Sequence, residues 1–152
     1  MEIRSLSDCD HESCRTAARL LIENFPNSGP TMAEAAEEVA GCLEPGKIAL
    51  VAVCQDEVVA FAGAMPQYGL TGWELHPLVV AGRQQRRGIG TLLLQAVEKA
   101  VAARGGLTLY AGSDDEQGQT SLANCDLYDR LWERIRDIKN LQGHPYEFYM
   151  KN

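Results

Sequence analysis

Glu74 and His76 stand two residues apart in Trp73-Glu74-Leu75-His76-Pro77-Leu78, and together they form the chain's best-placed pair for moving a proton. A carboxylate and an imidazole can each accept a proton from a nucleophile, directly or through water. If the segment is extended, side chains two apart share a face, so both groups address the same space. Pro77 has no N–H to give a strand ladder, which excludes a regular central strand there and predicts a bulge or splay. The N–H of Leu78, just beyond it, is then available to polarise a carbonyl. A few residues on, Gln85-Arg86-Arg87-Gly88-Ile89-Gly90-Thr91 separates a strand pattern from a strong helix pattern. Its glycines let a ligand approach the backbone, and the helix that follows points unbonded N–H groups at it. With Arg83, Arg86 and Arg87 nearby, the natural ligand is an anion such as a pyrophosphate. Gly88-Ile89-Gly90 lacks the third glycine of a dinucleotide fingerprint, and no Gly-Lys-Ser/Thr follows as a Walker loop requires. Taken alone, the loop reads equally as a glycine-bearing helix entry with solvated arginines. Likewise Glu74 reads as a paired surface carboxylate and His76 as a hydrogen-bonding core residue.

The elements that must position these residues follow from pattern. Residues 2–6 suit a short strand, and a helix runs from near Asp10 to Asn24 with Ala17, Ala18, Leu20, Leu21 and Phe25 on its apolar side. Phe25-Pro26-Asn27-Ser28-Gly29-Pro30 breaks it. Thr31-Met32-Ala33-Glu34 reads as a capping box that opens a second helix, ending near Gly41 or Leu43. Lys47 to Cys54 is a nearly continuous apolar run, as a strand buried on both faces would be. Gln55-Asp56-Glu57 turns it into an antiparallel partner, Val58 to Met65, and a loop from Pro66 to Thr71 leads to a third strand, Trp73 to Val80. Ile89, Leu92, Leu93, Ala96, Val97, Ala100 and Val101 recur at helical spacing, with Gly105-Gly106 as the stop. Leu107 to Ala111 is a short strand. Leu127, Leu131, Ile135 and Ile138 mark a further helix, and Pro145 opens a last short one. The order is β-α-α-β-β-β-α-β-α, an α/β (α+β mixed-sheet) pattern without repeat or linker, and residues 1–152 read as a single domain.

The totals narrow the classes. A net charge of −7 argues against nucleic acid, whose binders carry a basic footprint. It suits a cationic small substrate, and it equally suits a protein that is simply kept soluble. No apolar run approaches the roughly 20 residues that span a bilayer, and no signal peptide opens the chain, so no membrane partner and a cytoplasmic location are expected. Five cysteines without a C-x-x-C pair and three scattered histidines point to reduced thiols and to no metal site.

The loop at Gln85, Gly88 and Gly90 resembles the Q/R-x-x-G-x-G/A signature of the GNAT acetyltransferase superfamily. The resemblance implies that backbone amides from Gln85 through Arg86, Arg87, Gly88, Ile89, Gly90 and Thr91 bind the coenzyme A pyrophosphate. It also implies a splayed preceding strand whose backbone at Leu78, Val79 and Val80 pairs with the pantetheine arm. Acetyl transfer from a thioester to an amine needs a base, a polarised carbonyl and an acid for the departing thiolate. Glu74 or His76, the Leu78 N–H and the Tyr149 phenol can meet these needs, although Tyr149 can also be a packing residue. Four segments, Met65-Pro66-Gln67-Tyr68-Gly69, Gly72 to Val80, Arg104-Gly105-Gly106 and His144-Pro145-Tyr146-Glu147-Phe148-Tyr149, are similar to the aminoglycoside 6′-N-acetyltransferases. The likeness runs from about Lys47 to Tyr149, and the Trp73 to Val80 stretch is its most specific part. It implies acetyl-CoA as cofactor, direct transfer in a ternary complex, Glu74 and His76 as base and neighbour, and Tyr149 beside the sulfur. It further implies a small polycationic aminosugar as acceptor, with Phe25-Pro26 near its site and Phe25, Tyr68, Glu74, Asp114 and Asp115 in contact with it. Asp114-Asp115-Glu116 reads equally as a solvated acidic loop. Family members continue past the tyrosine into two more strands, so a GNAT fold lacking its last two strands is expected, with a homodimer covering the exposed edge. Two alternatives share these features: transfer to another small amine or a protein, and a non-catalytic acyl-CoA-binding remnant.

Overall fold

The computed structural model describes residues 1–26, 29–69 and 71–111. In chain order these form β1 (Glu2–Ser5), α1 (His11–Asn24), α2 (Met32–Cys42), β2 (Ile48–Cys54), β3 (Glu57–Tyr68), β4 (Gly72–Val80), α3 (Ile89–Ala103) and β5 (Thr108–Tyr110). Single 3-10 turns lie at Leu6–Asp8 and Gly82–Gln84. The five described strands make one mixed sheet in the order β1-β2-β3-β4-β5, antiparallel except for the parallel pairing of β4 with β5.

Local chemistry sets the helix ends. The Asp10 carboxylate accepts the Ser13 N–H at 2.9 Å and opens α1. Thr31 and Glu34 form the capping box expected at the start of α2, each side chain accepting the other's backbone N–H. Helix α3 stops where Gly105 turns left-handed at φ +80°. There the Gly105 N–H bonds Ala102 O and the Gly106 N–H bonds Val101 O, each at 3.0 Å, which is a Schellman closure.

The sheet is covered on both faces. Val51, Phe61 and Val79 pack with Ala17, Leu21, Ala35 and Val39 of α1 and α2. Ala52, Ala60, Ala62, Trp73 and Leu75 pack with Leu93, Leu94, Val97 and Val101 of α3. Strand β2 contributes to both layers, as its unbroken apolar run requires. None of the described helices is long and apolar enough to cross a membrane.

Two details differ from the sequence reading. Leu92 is 44% exposed, and Leu94 takes the core position instead. At 100° per residue the buried arc centres between Leu93 and Val97, so within the Leu92-Leu93-Leu94 run it reaches Leu94 and leaves Leu92 outside. Strand β3 also continues through Pro66 to Tyr68, where a loop was expected, with Pro66 opposite Trp73. The register shifts between Pro66 and Tyr68, and such an irregularity accommodates a residue that cannot donate. The helix through Leu127–Ile138, the one at Pro145 and the expected loss of two strands all lie outside the described residues.

Candidate active site at the splayed strand

Strand β4 is regular only at its two ends. Ala62 faces Leu78 and Ala64 faces Leu75, so Gly63 of β3 stands opposite both His76 and Pro77. Two residues against one is a bulge, at the place that Pro77 demanded. The bulge also changes the phase of the strand. Before it Trp73 and Leu75 point into the α3 layer; after it Leu78 and Val80 do, and Val79 turns to the α1–α2 layer. Only glycine fits opposite: a Cβ at position 63 would lie 2.6 Å from the His76 carbonyl oxygen and 2.7 Å from Cys42 Sγ.

On its other edge β4 pairs with β5 only at Gly72, Trp73 and Glu74, which face Thr108, Leu109 and Tyr110. Among the described residues, β4 from Leu75 to Val80 has no partner strand on that side. Glu74 is therefore the last β4 residue paired with β5 among the described residues, and the bulge begins two residues later. Alternation away from Trp73 and Leu75 turns Glu74 and His76 toward the α1–α2 side of the sheet. Gln67 Nε2 donates to Glu74 Oε2 at 2.7 Å from the neighbouring strand. His76 Nε2 lies 2.9 Å from Glu38 Oε1 on α2.

The open edge of β4 leads into the glycine loop. Gln85 Nε2 donates to Val80 O at 3.0 Å and to Asn24 Oδ1 at 3.2 Å, tying the loop to the ends of β4 and α1. Arg86 and Gly88 take left-handed φ values of +64° and +81°, a turn chemistry that builds anion-binding concavities from backbone N–H groups. Gly88 caps α3 without a side-chain hydrogen bond among the described residues; the first helical bond is Leu92 N to Gly88 O, 3.1 Å. The N–H groups of Ile89, Gly90 and Thr91 precede that bond and have no acceptor within the helix. An added Cβ at Gly88 would meet nothing within 4 Å. Gly90 packs toward Val80, where a Cβ would sit 3.6 Å from its Cγ2. Arg87 bonds Gln84 at 3.4 Å, while Arg83 pairs with Glu57 at the start of β3 and braces the loop. Among the described residues, an uncapped helix N-terminus thus lies beside a strand edge with no partner strand.

The structure thus brings Glu74, His76, Leu78, Val79, Val80 and the segment Gln85 to Thr91 along one continuous path. Leu78 follows the bulge directly, opposite Ala62. Phe25 caps α1, its N–H on Leu21 O at 2.9 Å, and its half-buried ring packs on the α1–α2 core. Tyr68 ends β3 opposite Gly72. Asp114, Asp115 and Tyr149 lie outside the described residues. Sequence reasoning gave no role to Gly63, Gln67 or Glu38. An isolated glycine in a strand pattern is a signal for a bulge and could have found Gly63. Nothing local flags the other two, whose partners come from other elements.

The family model of the acetyltransferase (GNAT) family matches residues 2–131. Among solved structures, the chain is similar to an aminoglycoside 6′-N-acetyltransferase complexed with coenzyme A: 44% identity over 98% of this chain and 82% of that one, TM-score 0.72. It is similar to the aminoglycoside 6′-N-acetyltransferase from Enterococcus faecium at 44% identity, covering 98% of this chain and 81% of that one, TM-score 0.68. A type Ii aminoglycoside 6′-acetyltransferase matches at 40% identity over 86% of this chain and 81% of that one, TM-score 0.72. No curated protein sequence gives a significant match.

Proposed function

We propose, from the premise that this chain belongs to the acetyltransferase (GNAT) family, that it moves an acetyl group from acetyl-CoA directly to the 6′-amine of an aminoglycoside. The solved relatives at 40 to 44% identity carry that acceptor class in their names, and one was solved with coenzyme A. The observation that carries the reading is the position of Glu74: among the described residues it is the last of β4 paired with β5, and the β4 edge beyond it runs to the N-terminus of α3.

Bound acetyl-CoA supplies the acetyl group as an activated thioester. The backbone of Gln85 to Thr91 holds its pyrophosphate, and Leu78, Val79 and Val80 offer their edge to its pantetheine arm. Glu74, steadied by Gln67, takes a proton from the acceptor ammonium and so frees the lone pair that attacks. The Leu78 N–H, beyond the bulge, stabilises charge on the carbonyl oxygen. The proton that returns to the departing thiolate is assigned to Tyr149, by the resemblance given above. Phe25, Tyr68, Asp114 and Asp115 belong to the acceptor side on the same grounds. A net charge of −7 is compatible with a polycationic acceptor.

The test is free coenzyme A released from acetyl-CoA with and without a kanamycin-class aminoglycoside, for the wild-type chain and Glu74→Gln. Aminoglycoside-dependent release, lost in Glu74→Gln while acetyl-CoA binding persists, is the expected result. Full-rate transfer by Glu74→Gln would sink the assignment of the base. Acetyl-CoA binding with no release would favour a binding module, and release only with other amines would move the acceptor class.

A further inference from the structure

Glu74 sits on a short stretch of slipped register between two bulges. The first, described above, adds a residue to β4 at His76 and Pro77, against Gly63. The second adds a residue to β3: Pro66 faces Trp73 and Tyr68 faces Gly72, so Gln67 has no partner across this ladder. The two shifts run in opposite senses and cancel, and the pairs Ala64–Leu75, Met65–Glu74 and Pro66–Trp73 lie between them. A one-residue shift turns side chains to the other face of a sheet, and a bulge re-aims the residue that it leaves unpaired. Here the β4 bulge turns Glu74 away from the α3 layer, which Leu78 and Val80 face. The β3 bulge frees Gln67 from the ladder, and its amide Nε2 reaches Glu74 Oε2 at 2.7 Å.

An ionised carboxylate only accepts, so the amide end that meets it is the NH2 group. Gln67 is exposed and the bond lies at the surface, where water competes for both partners and the net gain in stability is small. Its consequence is geometric, because a donor fixed on one oxygen stops the carboxylate from rotating. Among the described residues Glu74 makes no other hydrogen bond or ion pair. We propose that Gln67 is a positioning residue for acetyl transfer: its N–H holds Oε2 of Glu74, so that Oε1 receives the proton of the acceptor ammonium. This inference rests on the proposed reaction at Glu74. In that step one ammonium N–H bond breaks, its electron pair stays on nitrogen for the attack, and the proton forms an O–H bond at Oε1. The N–H bond of Gln67 is unchanged throughout.

The test is turnover at saturating aminoglycoside by the wild type, Gln67→Met, Gln67→His and Glu74→Gln. Methionine keeps the reach and loses the donor, whereas histidine offers an Nε2–H at similar reach. At neutral pH, Gln67→Met lowers kcat about tenfold with KM for acetyl-CoA and the thermal midpoint unchanged, and Gln67→His recovers most of it. At about pH 9 a large share of the acceptor amine is free unaided, so the loss shrinks to about twofold. A merely structural defect would persist at both pH values. An unchanged kcat in Gln67→Met overturns the proposal, and so does a loss of equal size at both pH values or no recovery in Gln67→His. An impaired Glu74→Gln beside a full-rate Gln67→Met strikes this proposal alone. Full-rate Glu74→Gln, or no aminoglycoside-dependent release by the wild type, overturns the role of Glu74 and this proposal with it.

Discussion

At the scale of single residues, the bulge depends on an atom that is not there. Gly63 gives up a Cβ so that His76 and Pro77 can both stand against it. The nearest obstacle is a backbone oxygen, which cannot rotate away, so Gly63→Ala must displace β4 itself. We expect roughly 1–3 kcal/mol of destabilisation, as overpacking costs elsewhere, read from urea unfolding, and a larger relative loss of turnover than of acetyl-CoA binding. Cys42 sits in the same contact. Burial first, then the nearby Glu38 charge, pushes its thiol up from 9.0 to about 11. The fold prefers the protonated thiol, whereas the unfolded chain releases that proton from 9.0 upward. The stability this preference contributes is fully present below 9.0 and is lost as pH rises toward about 11. Urea midpoints taken across that window should fall further in the wild type than in Cys42→Ala. Below the window, a thiol reagent should spare Cys42 until the protein unfolds.

At the scale of elements, the site is a junction where two secondary structures stop satisfying their own backbones. Among the described residues, strand β4 has no β5 partner after Glu74, and α3 begins without a side-chain cap. Each leaves polar backbone groups facing outward, and Gln85 holds the junction together by binding both Val80 and Asn24. Gly88 is required there by its φ of +81° and not by crowding, since its missing Cβ would meet open space. A β-branched residue cannot take that conformation cheaply. Gly88→Val should raise the KM for acetyl-CoA by about tenfold, equivalent to roughly 1.4 kcal/mol, with kcat at saturation much less affected. Initial rates at varied acetyl-CoA would show it. Equal losses in kcat and in affinity would instead place Gly88 in the transition state.

At the scale of the whole molecule, a net charge of −7 must coexist with an anionic cofactor. Arg83, Arg86 and Arg87 stand at the α3 entry, while Glu38 lies on α2 and Glu74 on β4. Charge steering is screened over about 10 Å at ~0.1 M salt. For a polycationic acceptor, kcat/KM should therefore fall several-fold as salt is raised from about 0.02 to about 0.5 M. A mono-amine acceptor should respond far less. Equal salt sensitivity for the two would mean that the bulk charge serves solubility alone.

The residues that carry local chemistry were legible in the sequence. Pro77 announced the bulge because its missing N–H is a property of one residue. Thr31 and Glu34 announced a helix start, Gly105-Gly106 a helix stop and Gly88-Ile89-Gly90 a helix entry, each through features set within a few positions. The apolar faces of α1 and of β4 before its bulge followed from fixed periods, and the helical period gave the wrong face for Leu92 where Leu92, Leu93 and Leu94 made the buried arc ambiguous. What only the tertiary structure decided are the pairings between distant segments: Gly63 under His76, Gln67 on Glu74, Glu38 on His76, and Gln85 on Asn24. Nothing in residue type separates Glu38 from Glu37. The choice was made by the helix face that packing on the sheet turned toward the bulge, and side-chain pairing across elements exists only once that packing has formed.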